Sequence, residues 1–171
     1  VNPVAAYSLI NNVGWADKVV NNTYAEFEIL PGLKARSSMG IDLAFWGNDG
    51  FNPSHYLNAT NYLDTNTVYS SFNRGFTWIW DNTLTYTHSI GKHNMNYLLG
   101  HSAQEVNGRY IGGSKKDVPT STFQDATIDY GRNEISEQVY GGKWERYAIE
   151  SYFARANYDY DGKYVATAII R

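Results

Sequence analysis

The stretch W-E-R-Y-A-I-E-S-Y-F-A-R-A-N-Y-D-Y-D-G-K-Y-V-A-T-A-I-I-R, Trp144 to Arg171, reads as a β-hairpin. Two runs rich in Tyr, Ile, Val, Thr and Ala meet at Asp161-Gly162, the dipeptide that best tolerates the positive φ angles of a two-residue hairpin turn. In the first arm Tyr152, Ala154, Ala156, Tyr158 and Tyr160 fall on one side, and Ser151, Phe153, Arg155, Asn157 and Asp159 on the other. One face is apolar and the other mostly wet, the period-two pattern of a strand between two different environments.

The same pattern recurs upstream. From about Asn22, Thr23, Ala25, Phe27 and Ile29 oppose Asn22, Tyr24, Glu26 and Glu28, and Leu30-Pro31-Gly32-Leu33 forms a tight turn into a second strand that runs to about Trp46. That strand keeps Lys34, Arg36 and Asp42 on one side and Ala35, Met39, Ile41, Leu43 and Phe45 on the other. From Gly75 a third strand sets Phe76, Trp78, Trp80, Leu84 and Tyr86 against Thr77, Asp81, Thr83, Thr85 and Thr87. Ile90-Gly91-Lys92-His93 turns into a fourth, with Met95, Tyr97, Leu99, His101 and Ala103 on its apolar side, fading near Asn107-Gly108. Residues 1 to 19 show no sustained period and read as loop. So do two long polar connections, Gly47 to about Phe72 and Gly108 to about Gly142, the second with a short helical turn around Ser121 to Ala126.

Connections therefore alternate short, long, short, long, short. Loops beyond ~12 to 15 residues are uncommon in compact domains, so two of them strain a soluble sandwich. An up-and-down membrane barrel makes this asymmetry naturally, with short turns on one side and long loops on the other. The expected fold is all-β: about six strands of an antiparallel up-and-down transmembrane β-barrel, the rest of which lies elsewhere because ~8 strands are the minimum for closure. Composition agrees. Aromatic residues make up 16% of the chain, with 15 Tyr, 7 Phe and 5 Trp, while mean hydropathy is -0.47. Tyr and Trp favour places where one end of the side chain is dry and the other wet. No run approaches the ~18 apolar residues of a membrane-spanning helix, and a net charge of -3 without a basic stripe argues against nucleic acid. The absence of cysteine removes disulfides and thiolate metal sites. A chain starting Val1-Asn2-Pro3 and stopping within the strand pattern Ala168-Ile169-Ile170-Arg171 is expected to be an internal fragment.

Several segments, in order, resemble the barrel of the SusC/RagA family of TonB-linked outer-membrane transporters of Bacteroidetes-type bacteria. They are Asn2-Pro3-Val4-Ala5, Y-A-E-F-E-I-L-P-G-L-K (Tyr24 to Lys34), W-D-N-T-L-T-Y (Trp80 to Tyr86), G-K-H-N-M-N-Y-L-L-G-H-S-A-Q (Gly91 to Gln104) and S-Y-F-A-R-A-N-Y-D-Y-D-G-K-Y (Ser151 to Tyr164). The resemblance implies that residues 1–171 are part of a TonB-dependent receptor barrel of about 22 strands, without its plug domain, TonB box or carboxy-terminal strand. It also implies short periplasmic turns, outward long loops, a SusD-like surface lipoprotein as partner, energy from the TonB complex, and an oligosaccharide or peptide as cargo.

On this reading Phe76, Trp78, Trp80, Tyr86, Tyr97, Tyr152 and Tyr158 are lipid-facing or girdle residues. Glu26, Glu28, Lys34, Arg36, Asp42, Asp81, Arg155 and Asn157 line the lumen, with Arg36 and Arg155 pairing with the acids. Tyr56, Tyr62, Tyr69, Tyr110, Tyr130 and Tyr140, in the loops, are candidates to stack on cargo. His88, His93 and His101 could approach one another but flank a turn without carboxylate or thiol company, which suits interfacial histidines better than a metal site. Glu26 and Glu28, or Glu134, Glu137, Glu145 and Glu150, could pair as catalytic acids, but alternating acids on a wall are ordinary hydrophilic lining. No catalytic or nucleotide-binding motif is present, so neither enzyme activity nor a cofactor is expected. The alternatives are a soluble β-sandwich carbohydrate-binding module, which would bury the alternating apolar faces against each other, and a structural or adhesive surface protein.

Overall fold

The computed structural model describes residues 4, 7, 9, 11–132 and 137–171. Of the sequence features above, Asn2, Pro3, Ala5 and Glu134 lie outside them. The strands are β1 (Asn11–Leu30), β2 (Leu33–Asn52), β3 (His55–Asn58), β4 (Asn61–Leu63), β5 (Thr67–Ile90), β6 (His93–Lys116), β7 (Gln138–Lys143), β8 (Tyr147–Tyr160) and β9 (Tyr164–Ile170). One sheet runs β1-β2-β5-β6-β8-β9, with β7 also paired to β6, and β3-β4 form a separate two-stranded sheet. Each long strand neighbours the next in sequence, the meander expected from the hairpin pattern.

Main-chain contacts group the chain into two compact units, Val1–Lys18 with Ala44–Gly75 and Gly108–Glu145, and Val19–Leu43 with Phe76–Asn107 and Arg146–Arg171. The second holds the three short turns. Gly32 (φ 82°) and Gly91 (φ 58°) take the left-handed conformation in theirs, and Gly32 lies against the main chain of Thr87, whose N–H donates to the Gly32 carbonyl at 2.8 Å. The Asp161-Gly162 turn differs from expectation in length. Tyr160 pairs with Tyr164, so the loop has three residues, Asp161, Gly162 and Lys163. Asp161 and Gly162 both adopt positive φ (56° and 68°), and Asp161 receives Lys92 Nζ at 3.0 Å and Lys163 Nζ at 3.2 Å. A two-residue turn would shift the register by one and turn β9 over; the third residue puts Ala154, Ala156 and Tyr158 opposite Ile170, Ala168 and Ala166.

The strands outrun the sequence reading. β1 begins at Asn11 rather than Asn22, β2 reaches Asn52, β5 starts at Thr67 and β6 reaches Lys116. Much of both supposed long loops is thus paired strand. The outer segments are rich in Asn, Asp, Gly and Thr, which suggests loop by composition, but a neighbouring strand's ladder satisfies their main chain. The short helical turn falls slightly later than expected, as a 3₁₀ turn at Ile128–Tyr130.

The buried apolar core of the described residues is small and lies in the first unit: Phe51, Val68 and Val118, packed by Phe123, Ala126 and Ile128. Asn66 ties the connection after β6 to it, donating to the Val118 and Thr120 carbonyls at 2.9 Å each and accepting from the Val118 N–H at 2.8 Å. In the second unit the alternating apolar face is open: Phe27 is 68% exposed, Leu99 59%, Tyr152 68% and Ile170 70%. Among the described residues no second layer covers these side chains, whereas a sandwich would bury them.

Candidate functional site

Two faces follow from the period of two. In the second unit one face carries the charges. Glu26 lies 3.9 Å from both Lys34 and Arg36, and the Arg36 guanidinium sits 4.1 Å above the Tyr24 ring. On the same face Ser102 donates to Asp81 at 2.5 Å, Asn96 to Thr87 at 2.9 Å, and Asn94 to Asp159 at 3.1 Å. These cross-strand bonds pin the pairing of β5, β6 and β8. Glu28 accepts from the Gly32 N–H at 3.1 Å and so holds a turn. Asp42, Arg155 and Asn157 share this face by alternation. Arg155 has no ion-pair partner among the described residues, contrary to the expectation that it pairs with an acid; its ladder partners are Leu98 and Ile169.

The other face of the second unit carries Phe76, Trp78, Trp80, Tyr86, Tyr97, Tyr152 and Tyr158 by alternation. Trp80, Tyr86, Tyr97, Tyr152 and Tyr158 are exposed there, and Phe76 and Trp78 are half-exposed. Across this apolar face runs a chain of polar contacts that the sequence reading missed. Trp80 Nε1 donates to Ser37 Oγ (3.0 Å), which donates to Asn82 Oδ1 (2.7 Å); Asn82 Nδ2 lies 3.5 Å from His101 Nδ1. His101 Nε2 is 3.0 Å from Glu150, and the Tyr152 hydroxyl donates to the same carboxylate oxygen at 2.7 Å. The signal was present as polar interruptions at Ser37, Asn82, His101 and Glu150 in otherwise apolar alternations, but it takes strand register to align them. Nearby, Arg146 donates to Glu105 at 2.7 Å, a bond that raises the guanidinium pKa above its already high ordinary range.

The histidines are engaged separately. His88 stacks on Tyr86, His93 bonds the Tyr158 hydroxyl at 2.7 Å, and His55 contacts Asn61 at 3.3 Å and the Pro53 carbonyl at 3.0 Å. Among the described residues no group of three His, Cys, Asp or Glu side chains is placed to hold a metal. The carboxylates are likewise dispersed: Glu137 sits by Lys115 (3.8 Å), whereas Glu26 and Glu150 have the partners already given.

In the first unit, strands place a cluster of aromatic rings over glycines on one face. Trp46 and Trp144 pack at 5.2 Å between ring centroids, over Gly75 and Gly108. Tyr69 covers Gly50, Tyr140 covers Gly112, and Tyr110 lies against Gly142. A Cβ at Gly50, Gly108 or Gly112 would collide with the ring above it, so small residue and ring are matched across strands. The ladder pairs Tyr110↔Gly142 and Gly112↔Tyr140 set this interleaving. Tyr69, Tyr110 and Tyr140 are therefore strand residues rather than loop residues. Tyr56 and Tyr62 are directly paired on β3-β4 with ring centroids 6.1 Å apart, both exposed. Tyr130 is exposed on the 3₁₀ turn. Trp46 and Trp144 were not among the sequence candidates.

A single-layer antiparallel meander with an uncovered apolar face, a charged opposite face and short turns after β1, β5 and β8 is the wall of an up-and-down transmembrane β-barrel. The particular kind of barrel emerges from comparison with known proteins. The chain is 26% identical over 170 residues to TonB-dependent receptor P3 of Formosa agariphila, a match covering 91% of this chain and 15% of that protein. Its fold superposes on a chain of the RagAB peptide transporter with a TM-score of 0.77 at 22% identity, covering 93% of this chain and 17% of that one. For the RagAB peptide importer in the open-open state the TM-score is 0.80, with 94% and 17% covered. No family model matches the chain. The SusC/RagA-type resemblance carried by the sequence motifs is borne out by these matches, and the chain spans less than a fifth of the length of each relative.

Proposed function

We propose that the chain is part of the wall of an outer-membrane TonB-dependent importer of a Gram-negative, Bacteroidetes-type bacterium, one that takes up peptides or glycans together with a SusD-like surface lipoprotein. The uncovered apolar face carries this reading. Exposed Phe27, Leu99, Tyr152 and Ile170 on a paired sheet are costly in water and ordinary against lipid. The face with Glu26, Glu28, Lys34, Arg36, Asp42, Asp81, Arg155 and Asn157 then lines the lumen, and the seven aromatic residues from Phe76 to Tyr158 face lipid or its boundary. The Trp80–Ser37–Asn82–His101–Glu150–Tyr152 chain lies on the lipid side, where its members satisfy one another's donors and acceptors.

Cargo meets the first unit, whose rings at Trp46, Tyr69, Tyr110, Tyr140 and Trp144 present flat surfaces at fixed positions, joined by the Tyr56–Tyr62 pair. Such rings stack on sugar faces and on peptide side chains alike. The chain's contribution is passive: TonB, acting on the parent protein, supplies the work. The role is transport and not catalysis. Fractionation of cells producing the full-length parent tests the reading. Recovery in the outer membrane, with detergent needed for extraction and a heat-modifiable folded band, is the expected result. Recovery in the aqueous fraction without detergent overturns it.

A further inference from the structure

One hollow of the first unit is walled by carboxamides. Asn12 of β1, Asn52 of β2 and Asn61 of β4 line it together with His55 of β3, Tyr62 of β4 and Tyr69 of β5. Its volume of about 410 Å³ lies within the range of small-molecule sites. The Tyr69 ring lies against the main chain of β2 at Gly50, where a Cβ would collide with it, and Tyr62 stands opposite Tyr56 in the β3-β4 hairpin. The three asparagines are exposed. Among the described residues the Asn12 and Asn52 carboxamides have no hydrogen-bond partner, whereas Asn66, Asn94 and Asn96 use theirs to hold the fold. His55 is engaged at both ring nitrogens: Nδ1 donates to the Pro53 carbonyl at 3.0 Å, and Nε2 lies 3.3 Å from Asn61 Oδ1.

The wall indicates the class of ligand. Each carboxamide offers two N–H donors and an oxygen acceptor in one plane, and a sugar hydroxyl is likewise donor and acceptor at once. Neighbouring hydroxyls of a sugar ring can therefore satisfy one carboxamide from both sides, while the C–H face of the ring suits an aromatic surface such as Tyr69 or Tyr62. A main-chain peptide group has one donor and one acceptor, so it would leave three clustered carboxamides half used. The wall also discriminates by charge. Among the described residues no Asp, Glu, Lys or Arg lines the hollow, so a carboxylate, sulfate or ammonium entering it sheds water without meeting a counter-charge.

We propose that this hollow is a sugar-binding site that selects uncharged glycans, with Asn12, Asn52 and Asn61 bonding the hydroxyls of a neutral pyranose and Tyr69 against its ring. The proposal rests on the reading above of an importer whose cargo meets the first unit, and narrows that cargo from a peptide or glycan to a neutral glycan.

The test uses the full-length transporter in detergent and native mass spectrometry with three sets of probes: neutral hexasaccharides (maltohexaose, laminarihexaose, mannohexaose and xylohexaose), acidic ones (hexagalacturonate and hexamannuronate), and the peptides of a casein digest. The expected result is that a neutral hexasaccharide binds at least about tenfold more tightly than any acidic one or any peptide. Asn12→Ala/Asn52→Ala should weaken that binding by about tenfold, through loss of two hydrogen-bonding groups, and Asn52→Leu, of similar volume, should weaken it in the same direction. Tightest binding of an acidic oligosaccharide or a peptide by the unaltered protein overturns the proposal without reference to any variant, and so does binding of none of the neutral set. Neutral binding that both variants keep in full overturns the site. Failure of the importer reading is distinguishable, because the parent would then leave the membrane fraction without detergent.

Discussion

Leu99→Arg separates a lipid-facing sheet from a solvent-facing one. Leu99 is 59% exposed on the apolar face of β6, opposite Ala154 of β8. It stands about 8 residues past the Gly91 turn, ~20 Å along the barrel axis at ~3.3 Å rise and ~40° tilt. With a few ångströms of turn projecting below the membrane, this puts the side chain near the middle of an apolar band ~25 Å tall. An arginine at the bilayer midplane costs about 2–4 kcal/mol, whereas an exposed surface substitution in water stays within about 0.5 kcal/mol. The two outcomes differ by more than tenfold in the unfolding equilibrium. Asn96→Arg is the control on the charged face of the same strand; it loses the 2.9 Å bond to Thr87, worth about 1 kcal/mol, but stays in water. Guanidinium unfolding of the full-length parent in lipid vesicles measures both. A Leu99→Arg cost of less than about 1 kcal/mol, or one equal to that of Asn96→Arg, would refute the assignment of faces.

Four further outcomes follow from the geometry. Gly108→Val places a branched side chain under the Trp144 indole and should destabilise the barrel by about 1–3 kcal/mol, with partial recovery in Gly108→Val/Trp144→Ala by double-mutant cycle. Gly32→Ala should also destabilise, by at least about 1 kcal/mol, since φ is 82° and the new methyl meets the Thr87 carbonyl; a neutral result in denaturant titration would mean that this turn rearranges freely. Arg146→Ala should leave the denaturant midpoint nearly unchanged, because the Arg146 side chain is 70% exposed and water screens the Glu105 pair; a clear drop in the midpoint in the same titration would place the pair in a low dielectric. Tyr110→Ala/Tyr140→Ala should lower cargo uptake by the parent in cells while the amount of heat-modifiable barrel stays constant, and unchanged uptake would count against the aromatic surface as a cargo contact.

The hairpins were legible in the residues because each inner strand segment separates two environments. Where Phe27, Leu99 and Tyr152 meet one medium and Glu26, Asn96 and Arg155 the other, the pleat prints a period of two on the chain. Turns were legible because Gly32, Gly91 and Gly162 hold conformations that few other residues tolerate. The outer parts of β1, β2, β5 and β6 were not, since their Asn, Asp, Gly and Thr residues break the alternation and the few apolar ones, such as Phe51 and Val68, are buried by a distant part of the chain. Those segments are strands because a neighbour pairs with their main chain, and pairing between residues far apart in sequence leaves no local mark.

Register decided the rest. The third residue of the Asp161 turn sets which side chains of β9 stand beside β8, and a single-residue count is beyond what composition carries. Trp46, Gly75, Gly108 and Trp144 are scattered along the sequence and meet only when strands align. The same holds for Ser37, Asn82, His101 and Glu150, and for Asn12, Asn52 and Asn61 in their hollow. Alternation tells each residue which face it has, a local property of the pleat. Which residues share that face at one height depends on the hydrogen-bonded ladders between strands, and only the folded sheet contains them.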